Sequence, residues 1–559
     1  MFNKLKNFFL SLDVVLICIL FAAFLIRIWG IYFDYPRVNF IWDETYDMAY
    51  LMNLLEQKRL FFSPPVSPYS LFLPALYLPV TILRIAYLAI KFHLFNPGSF
   101  KDFIITNGIG QIYIVARWYA VFFGTAATYL IYRIYNLIFK HKLSAYFASL
   151  VYAVSLLPVF LSHWGKEHSG MLFFTLLSLF FILKFEREKS TKYFYYSTVA
   201  AAGAFSIHYI GISAAIFPLL GYLFNFREVK FKSVFRAAAL YVLIALFFYL
   251  LNYNGIQMMF QNTKDNYYAA NNYSGLIKTS GLERFYYVFR DYFWLDPVFL
   301  ALFFVMLITK GKELLKNKLI RYIIYGLLFN YSLMTTIIVG PHMTRWLLIF
   351  MALAIPLAAG YFVELLKEKE IGRWFVYVFA AILIMPSFFI TTSWLGILKN
   401  NTSLETERWL EQNLKTDEVV YSFDSLIYVL PTYRAAVWNR QVNQRESKKN
   451  NYIIEHQDQF QGKGITLMYD YGNDRYKDLA GEETEYVIIS YIDPAEKDRQ
   501  LIELQKYHNL KLTESFYPTT NNGLIARGID DDYLNNPRSF FTLFKLDKSG
   551  PFFEIYKMQ

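Results

Sequence analysis

An adjacent acid pair, Asp43 and Glu44, follows the first apolar run in NFIWDETYDMAYLMNLLEQ, and Asp47 comes one helical turn after Asp43. Farther along, SHWGKEHSG sets Lys166, Glu167 and His168 at the vertex between two apolar runs, and SIHYIG sets His208 at another. GPHMTRW carries His342 and Arg345 three residues apart, behind a proline suited to a helix start. Arg117 lies near the head of a further run. Ionisable groups at membrane depth are costly, and those that remain usually line a water-filled cavity or contact substrate. Asp43, Glu44 and Glu167 facing Lys166, His168, His208, Arg117 and Arg345 would make an acid/base centre beside an anionic ligand. An amphiphile with a phosphate head and an isoprenoid tail satisfies both the charges and the aromatic-rich apolar walls.

Each residue also has a plainer role to set against this one. Asp43 can cap the helix after it, and Glu44 can answer that helix's dipole. Lys166 and Glu167 can pair with each other at the turn, and His208 can bond the turn backbone. Arg117 and Arg345 can snorkel at the membrane boundary. Asp47, His342 and Arg27 read as structural by default.

The elements that must position these groups are membrane helices. Of 559 residues, 56% are hydrophobic and 18% charged, against the ~25% charged of an ordinary soluble chain. Apolar runs fall near residues 13–33, 112–138, 144–163, 169–185, 193–207, 210–225, 234–252, 293–309, 321–339, 346–366 and 373–395, which gives about eleven transmembrane helices. The N-terminal run ends in LIRIWGIYF without a small-x-small cleavage site, so it reads as an uncleaved first span. Alternate loops hold the basic residues, among them Lys184, Arg187, Lys189 and Lys192, and Lys310, Lys312, Lys316 and Lys318. Such loops belong inside, so the N-terminus is expected in the cytoplasm and everything after Leu395 outside, in a plasma or inner membrane. The polar turns named above then all fall on the outer side. One run, Ser70 to Phe92 with Pro74, Pro79 and Arg84, breaks the alternation and reads as interfacial or re-entrant within a long outer loop, residues 34–111.

Charge divides the chain at the same place. Residues 401–559 hold 19 Lys+Arg and 25 Asp+Glu, a balance of −6, which leaves 36 and 19, a balance of +17, before residue 401. The positive excess sits between apolar runs, so it reports topology rather than nucleic-acid binding. The expected organisation is a transmembrane domain over residues 1–399 and a soluble extracytoplasmic α/β domain over 400–559. In the latter, LETERWLEQNL and PAEKDRQLIELQKY have helical spacing, DEVVYSF and TEYVIISYI read as strands, and SFFTLFKLDKSGPFFEIYKM reads as a hairpin around Lys548, Ser549 and Gly550. No Walker, nucleotide or metal motif occurs in it, and the single cysteine, Cys18, excludes an intramolecular disulfide.

These features in this order resemble the GT-C fold: the acid pair in FIWDETYDMAYLMNLL, the arginine in IVARWYAVFFGTAATYLIYRI, the vertex in SHWGKEHSGMLFFTLLSLFF, the GPHMTRWLLIFMALAIPLAAGYFVEL segment and the tail opening SLETERWLEQNLKTDEVVY. That is the class of membrane glycosyltransferases using polyprenyl-phosphate sugars, and the likeness is nearest to its protein O-mannosyltransferase and lipid A aminoarabinose transferase branch. It covers most of residues 13–425.

The resemblance implies that Asp43 is the catalytic general base, that Glu44 is the second acid of the family's pair, and that Arg117 and Arg345 are its outer-side arginines, Arg345 foremost at the donor phosphate. The chemistry of sugar transfer assigns Glu44 and Glu167 to positioning the sugar or acceptor, and adds Lys166, His168 and His208 beside the phosphate. Two positions depart from the family pattern: Glu167 stands where relatives commonly carry Asp, and His208 where they often carry Lys, which weakens the phosphate role of His208. Metal use stays open, with Asp43 and Glu167 as the pair that would bridge a divalent ion. No nucleotide cofactor is expected. The partners are a polyprenyl-phosphate-linked sugar, an acceptor that is lipid, glycan or protein, and membrane lipids. The rival readings are a polytopic transporter or lipid flippase for a glycolipid or anionic substrate, and a glycan polymerase or ligase. A transporter would show repeated halves and midplane charges, and no such repeat occurs.

Overall fold

The computed structural model describes residues 13–33, 35, 46–57, 70–252, 257, 286, 296–337, 344–398, 400–423, 427, 429–443, 448–469, 484–491, 494–519 and 546–559. The chain is a polytopic α-helical membrane protein with a C-terminal α/β sheet. It folds as two compact units, one of Met1–Ile31, Asp43–Arg84 and Tyr113–Thr392, the other of Tyr32–Trp42, Ile85–Ile112 and Ser393–Gln559.

The helices of the N-terminal half are α1 (Val14–Ile28), α2 (Tyr46–Gln57), α3 (Phe72–Lys91), α4 (Pro97–Asn107), α5 (Gly110–Ile138), α6 (Lys142–Val154), α7 (Leu156–Ser162), α8 (Glu167–Glu188), α9 (Thr191–Ile207), a 3₁₀ stretch (Tyr209–Ala215), α10 (Ile216–Phe224) and α11 (Phe231–Leu250). After these come α12 (Pro297–Leu314), α13 (Lys318–Ile337), a 3₁₀ turn (Thr344–Leu347), α14 (Leu348–Glu368) and α15 (Arg373–Ile397). The described residues of all eleven apolar runs are largely helical. Six described helices are long and apolar enough to cross a membrane, or seven if α6 and α7 count as one. Of the eleven expected spans, α1 and the Tyr209–Phe224 stretch are too short, α12 and α13 do not qualify although they are 18 and 20 residues long, and α3, not counted among the eleven, does qualify.

The expected single span over 144–163 is in fact this bent pair, with 56° between its arms. Pro158 explains the break, because it has no N–H to give the Val154 carbonyl and its ring would clash there. The freed carbonyls find other donors: Thr391 Oγ1 donates to Val154 O at 2.7 Å and Arg27 Nη1 to Ala153 O at 3.0 Å. Gly124 leaves room for this, since a Cβ there would collide with Ser162 Oγ and stand 2.8 Å from Arg27 Nε.

The run expected to be interfacial or re-entrant is one continuous helix, α3, with Pro79 inside it and length and composition sufficient for a crossing. Its start lies against the end of α11, where the Leu71 N–H donates to Phe248 O at 3.3 Å. It also lies against α5, where the Tyr119 hydroxyl donates to Leu76 O.

In the second unit a five-stranded sheet has the order β2-β1-β3-β5-β4, with β1 (Val419–Ser422), β2 (Thr466–Tyr469), β3 (Tyr486–Tyr491), β4 (Leu510–Phe516) and β5 (Phe552–Met558). β1 runs parallel to β2 and β3, while β5 is antiparallel to β3 and β4. Leu410, Val420, Leu467, Ile488, Phe553 and Ile555 form its buried core. The expected hairpin does not supply the partner of β5 among the described residues: β5 sits between β3 and β4, and residues 539–545 lie outside them. Gly550, at φ 97°, instead lets the 546–551 segment press on Thr402 at the head of the helix Thr402–Asn413. Helix α4 belongs to this unit. The Tyr452 hydroxyl donates to Asp102 at 2.6 Å, Lys101 lies 4.7 Å from the Tyr452 ring centroid, and Ile105 packs on the Ala436, Tyr452, Ile453 and Phe460 cluster.

Candidate active site

The short arm α7 ends at Ser162, and a four-residue turn leads into α8, whose N-cap is Lys166 in an extended conformation. Glu167 and His168 are therefore the first helical residues, and the carboxylate meets the positive end of the α8 dipole. Lys166, Glu167 and His168 are all buried. The Lys166 ammonium lies 5.4 Å from the centroid of the Trp164 ring, a cation–π distance that holds it over an apolar face.

His208 breaks α9 from the 3₁₀ stretch that follows, with its backbone extended (φ −152°, ψ 142°). Its Nδ1 accepts the Ile210 N–H at 3.2 Å, which assigns the ring proton to Nε2 in the neutral form. That Nε2 lies 4.0 Å from Glu167 Oε1, and His168 Nε2 lies 3.8 Å from the same oxygen. Arg345, half-buried on the 3₁₀ turn before α14, exerts its charge on both His168 and His208, as does Lys166. Tyr209, its ring centroid 4.2 Å from that of His208 and tilted by 32°, feels both Glu167 and Arg345.

The structure thus brings together Lys166, Glu167, His168, His208 and Arg345. Asp43 and Glu44, and also His342, lie outside the described residues. Arg117 is buried in α5 at the exit of α1, where its Nη1 donates to Ile31 O at 3.0 Å. Beside it, His163 places Nε2 2.7 Å from Trp29 O and Nδ1 2.8 Å from Val159 O. Among the described residues no group of three or more His, Cys, Asp or Glu is arranged to hold a metal ion.

The structure adds a residue that the sequence reading left as structural. Asp47, in the first turn of α2, is 4% exposed and interacts with Glu167 and Lys166. Burial, then the Glu167 charge, push its carboxyl well above the ordinary carboxylate range, against a weaker pull from Lys166. Its signal in the sequence was the four-residue spacing from Asp43. Trp164 and Tyr209 went unremarked beside Lys166 and His208.

A lysine, an arginine and two imidazoles around one carboxylate can receive an anion while the carboxylate orients a hydroxyl-bearing partner. Residues 104–253 match the family described as dolichyl-phosphate-mannose-protein mannosyltransferase. This segment holds Arg117, Lys166, Glu167, His168 and His208, and the likeness to the GT-C mannosyltransferase branch is borne out over it. No curated protein matches the chain in sequence.

Among solved structures the chain is similar to the S. cerevisiae protein O-mannosyltransferase Pmt1-Pmt2 complex bound to the sugar donor, with a TM-score of 0.30 and 15% identity over 44% of this chain and 33% of that one. The chain therefore spans about a third of that protein's length. It is also similar to ArnT from Cupriavidus metallidurans bound to undecaprenyl phosphate, with a TM-score of 0.46 and 9% identity over 90% of this chain and 96% of that one. The apo state of ArnT gives a TM-score of 0.45 and 10% identity over 89% and 95%.

Proposed function

We propose that the chain is a membrane glycosyltransferase that moves a sugar from a polyprenyl-phosphate donor to an acceptor at the outer face of the membrane. The observation that carries this reading is the meeting of the buried Lys166, His168 and His208 and the half-buried Arg345 around Glu167, within and beside the matched segment. Attack at the anomeric carbon passes through an oxocarbenium-like state, in which the acceptor loses a proton and the lipid phosphate gathers charge. Lys166 and Arg345, with Arg117 at the exit of α1, supply positive charge for the departing phosphate. His168 and His208 complete the polar wall, and Glu167 orients sugar or acceptor hydroxyls. Asp43 is the general base and Glu44 its neighbour.

Placement on the outer face follows from the basic loops.

The test is to incubate membranes containing the protein with a panel of polyprenyl-phosphate sugars labelled in the sugar and to follow the label into lipid, glycan and protein. Label leaving the polyprenyl phosphate for one of these fractions is expected. Label that crosses the bilayer still attached to its lipid identifies a flippase instead.

A further inference from the structure

Among the described residues of the charged cluster, several groups are already engaged. Glu167 Oε1 has two imidazole nitrogens within 4.0 Å, and Lys166 sits over Trp164. Asp47 differs. It is 4% exposed, and its Oδ1, wholly shielded from solvent, has no hydrogen-bond partner among the described residues. A buried acceptor left unmade costs about 1–3 kcal/mol, so such groups are rare unless something else fills them.

The neighbours say what that could be. Asp47 interacts with Glu167 and Lys166 together, so an anion is disfavoured by two carboxyls, whereas a neutral hydroxyl donor is welcome. We infer that Asp47 accepts a hydrogen bond from a hydroxyl of the transferred sugar, on the glycosyltransferase reading above. The sugar is favoured over the acceptor because Asp47 lies beside Lys166, the proposed phosphate contact, and the sugar is bonded to that phosphate. This makes Asp47 a substrate-binding residue distinct from the acid pair four residues before it.

The experiment uses the full chain purified in detergent and compares its binding of undecaprenyl phosphate with that of undecaprenyl-phosphate-linked mannose, glucose and galactose. Asp47→Ala and Asp47→Leu are the variants. Leucine replaces a partnerless buried acceptor with an apolar branch, so folding and melting temperature should hold even if alanine leaves a destabilising hole. The wild type is expected to bind its preferred sugar-bearing lipid more tightly than the bare lipid. The variants should bind the bare lipid as the wild type does and lose about tenfold in affinity for the sugar-bearing one, the loss of one hydrogen bond. Unchanged affinity for both lipids overturns the inference. If the acceptor KM then rises tenfold, the hydroxyl is the acceptor's. A wild type that binds the bare lipid without favouring any sugar also overturns it, whereas one that binds none of these lipids overturns the glycosyltransferase reading itself.

Discussion

His208 points Nε2 at Glu167 Oε1 from 4.0 Å away, tying the end of α9 to the head of α8 across the hairpin that joins them. Because Nδ1 already accepts from Ile210, the ring cannot turn without breaking a backbone contact. The imidazole beside the carboxylate therefore has a fixed orientation.

Glu167→Gln should keep the shape of this arrangement and remove its charge. Turnover is expected to fall about 10- to 100-fold, the range for a lost hydrogen bond to a charged group. Steady-state sugar transfer by purified variant and parent measures it, and equal rates would make Glu167 a structural residue of the turn.

Asp43→Asn tests the assigned base. Turnover should drop by roughly 10² to 10⁴ with normal membrane insertion. Near-parental transfer removes Asp43 from the mechanism.

Thr391→Val addresses the break between α6 and α7. It deletes the 2.7 Å donor to the Val154 carbonyl, which Pro158 leaves without a helical partner. A destabilisation of about 1–3 kcal/mol is expected, read as a lower melting temperature in detergent. A variant that melts with the parent shows that the break is held by its other contacts.

The C-terminal sheet should lose stability in acid through Glu554. Burial alone would raise this carboxyl, but Lys497 at 2.8 Å, the Tyr517 hydroxyl at 2.6 Å and Tyr556 outweigh it and hold it below the ordinary range. A depressed folded value means that the stabilisation is present above the unfolded value of 4.5 and fades as pH falls through the folded one. Proteolysis of the tail in intact protein should therefore accelerate below about pH 4.5. Glu554→Gln should lack this acid-side step, and an identical pH profile in both would contradict the linkage.

A last prediction concerns the tail and the loop helix. Cysteines replacing Asp102 and Tyr452, in a Cys18→Ser background, should be joined by a short bifunctional maleimide. The 2.6 Å hydrogen bond and the Lys101 ring contact make these positions neighbours. Absence of the cross-linked species on a gel would separate the two segments.

Much of the fold was readable from residue patterns because membrane helices announce themselves by length and apolarity. The described residues of all eleven runs are largely helical. What failed was local or non-local in specific ways. Pro158 was visible in the third apolar run, yet its effect depends on Thr391 and Arg27 accepting the consequences from distant helices. The Lys548–Ser549–Gly550 turn suggested a hairpin, but β5 takes its antiparallel partners from β3 and β4, a register that no short-range pattern encodes. At the site, residues at the vertices of helical turns were found because charge is conspicuous in apolar surroundings. Asp47 was passed over because a first-turn acid on an amphipathic helix is ordinary until its burial is known.

The bond from Tyr452 to Asp102 means that the tail is no detachable appendage. A gene cut near codon 400 would strip a helix in the first quarter of the polypeptide of its folding partner, leaving Ile105 uncovered. Chimeras that exchange tails between relatives would need to carry residues 97–107 along with them.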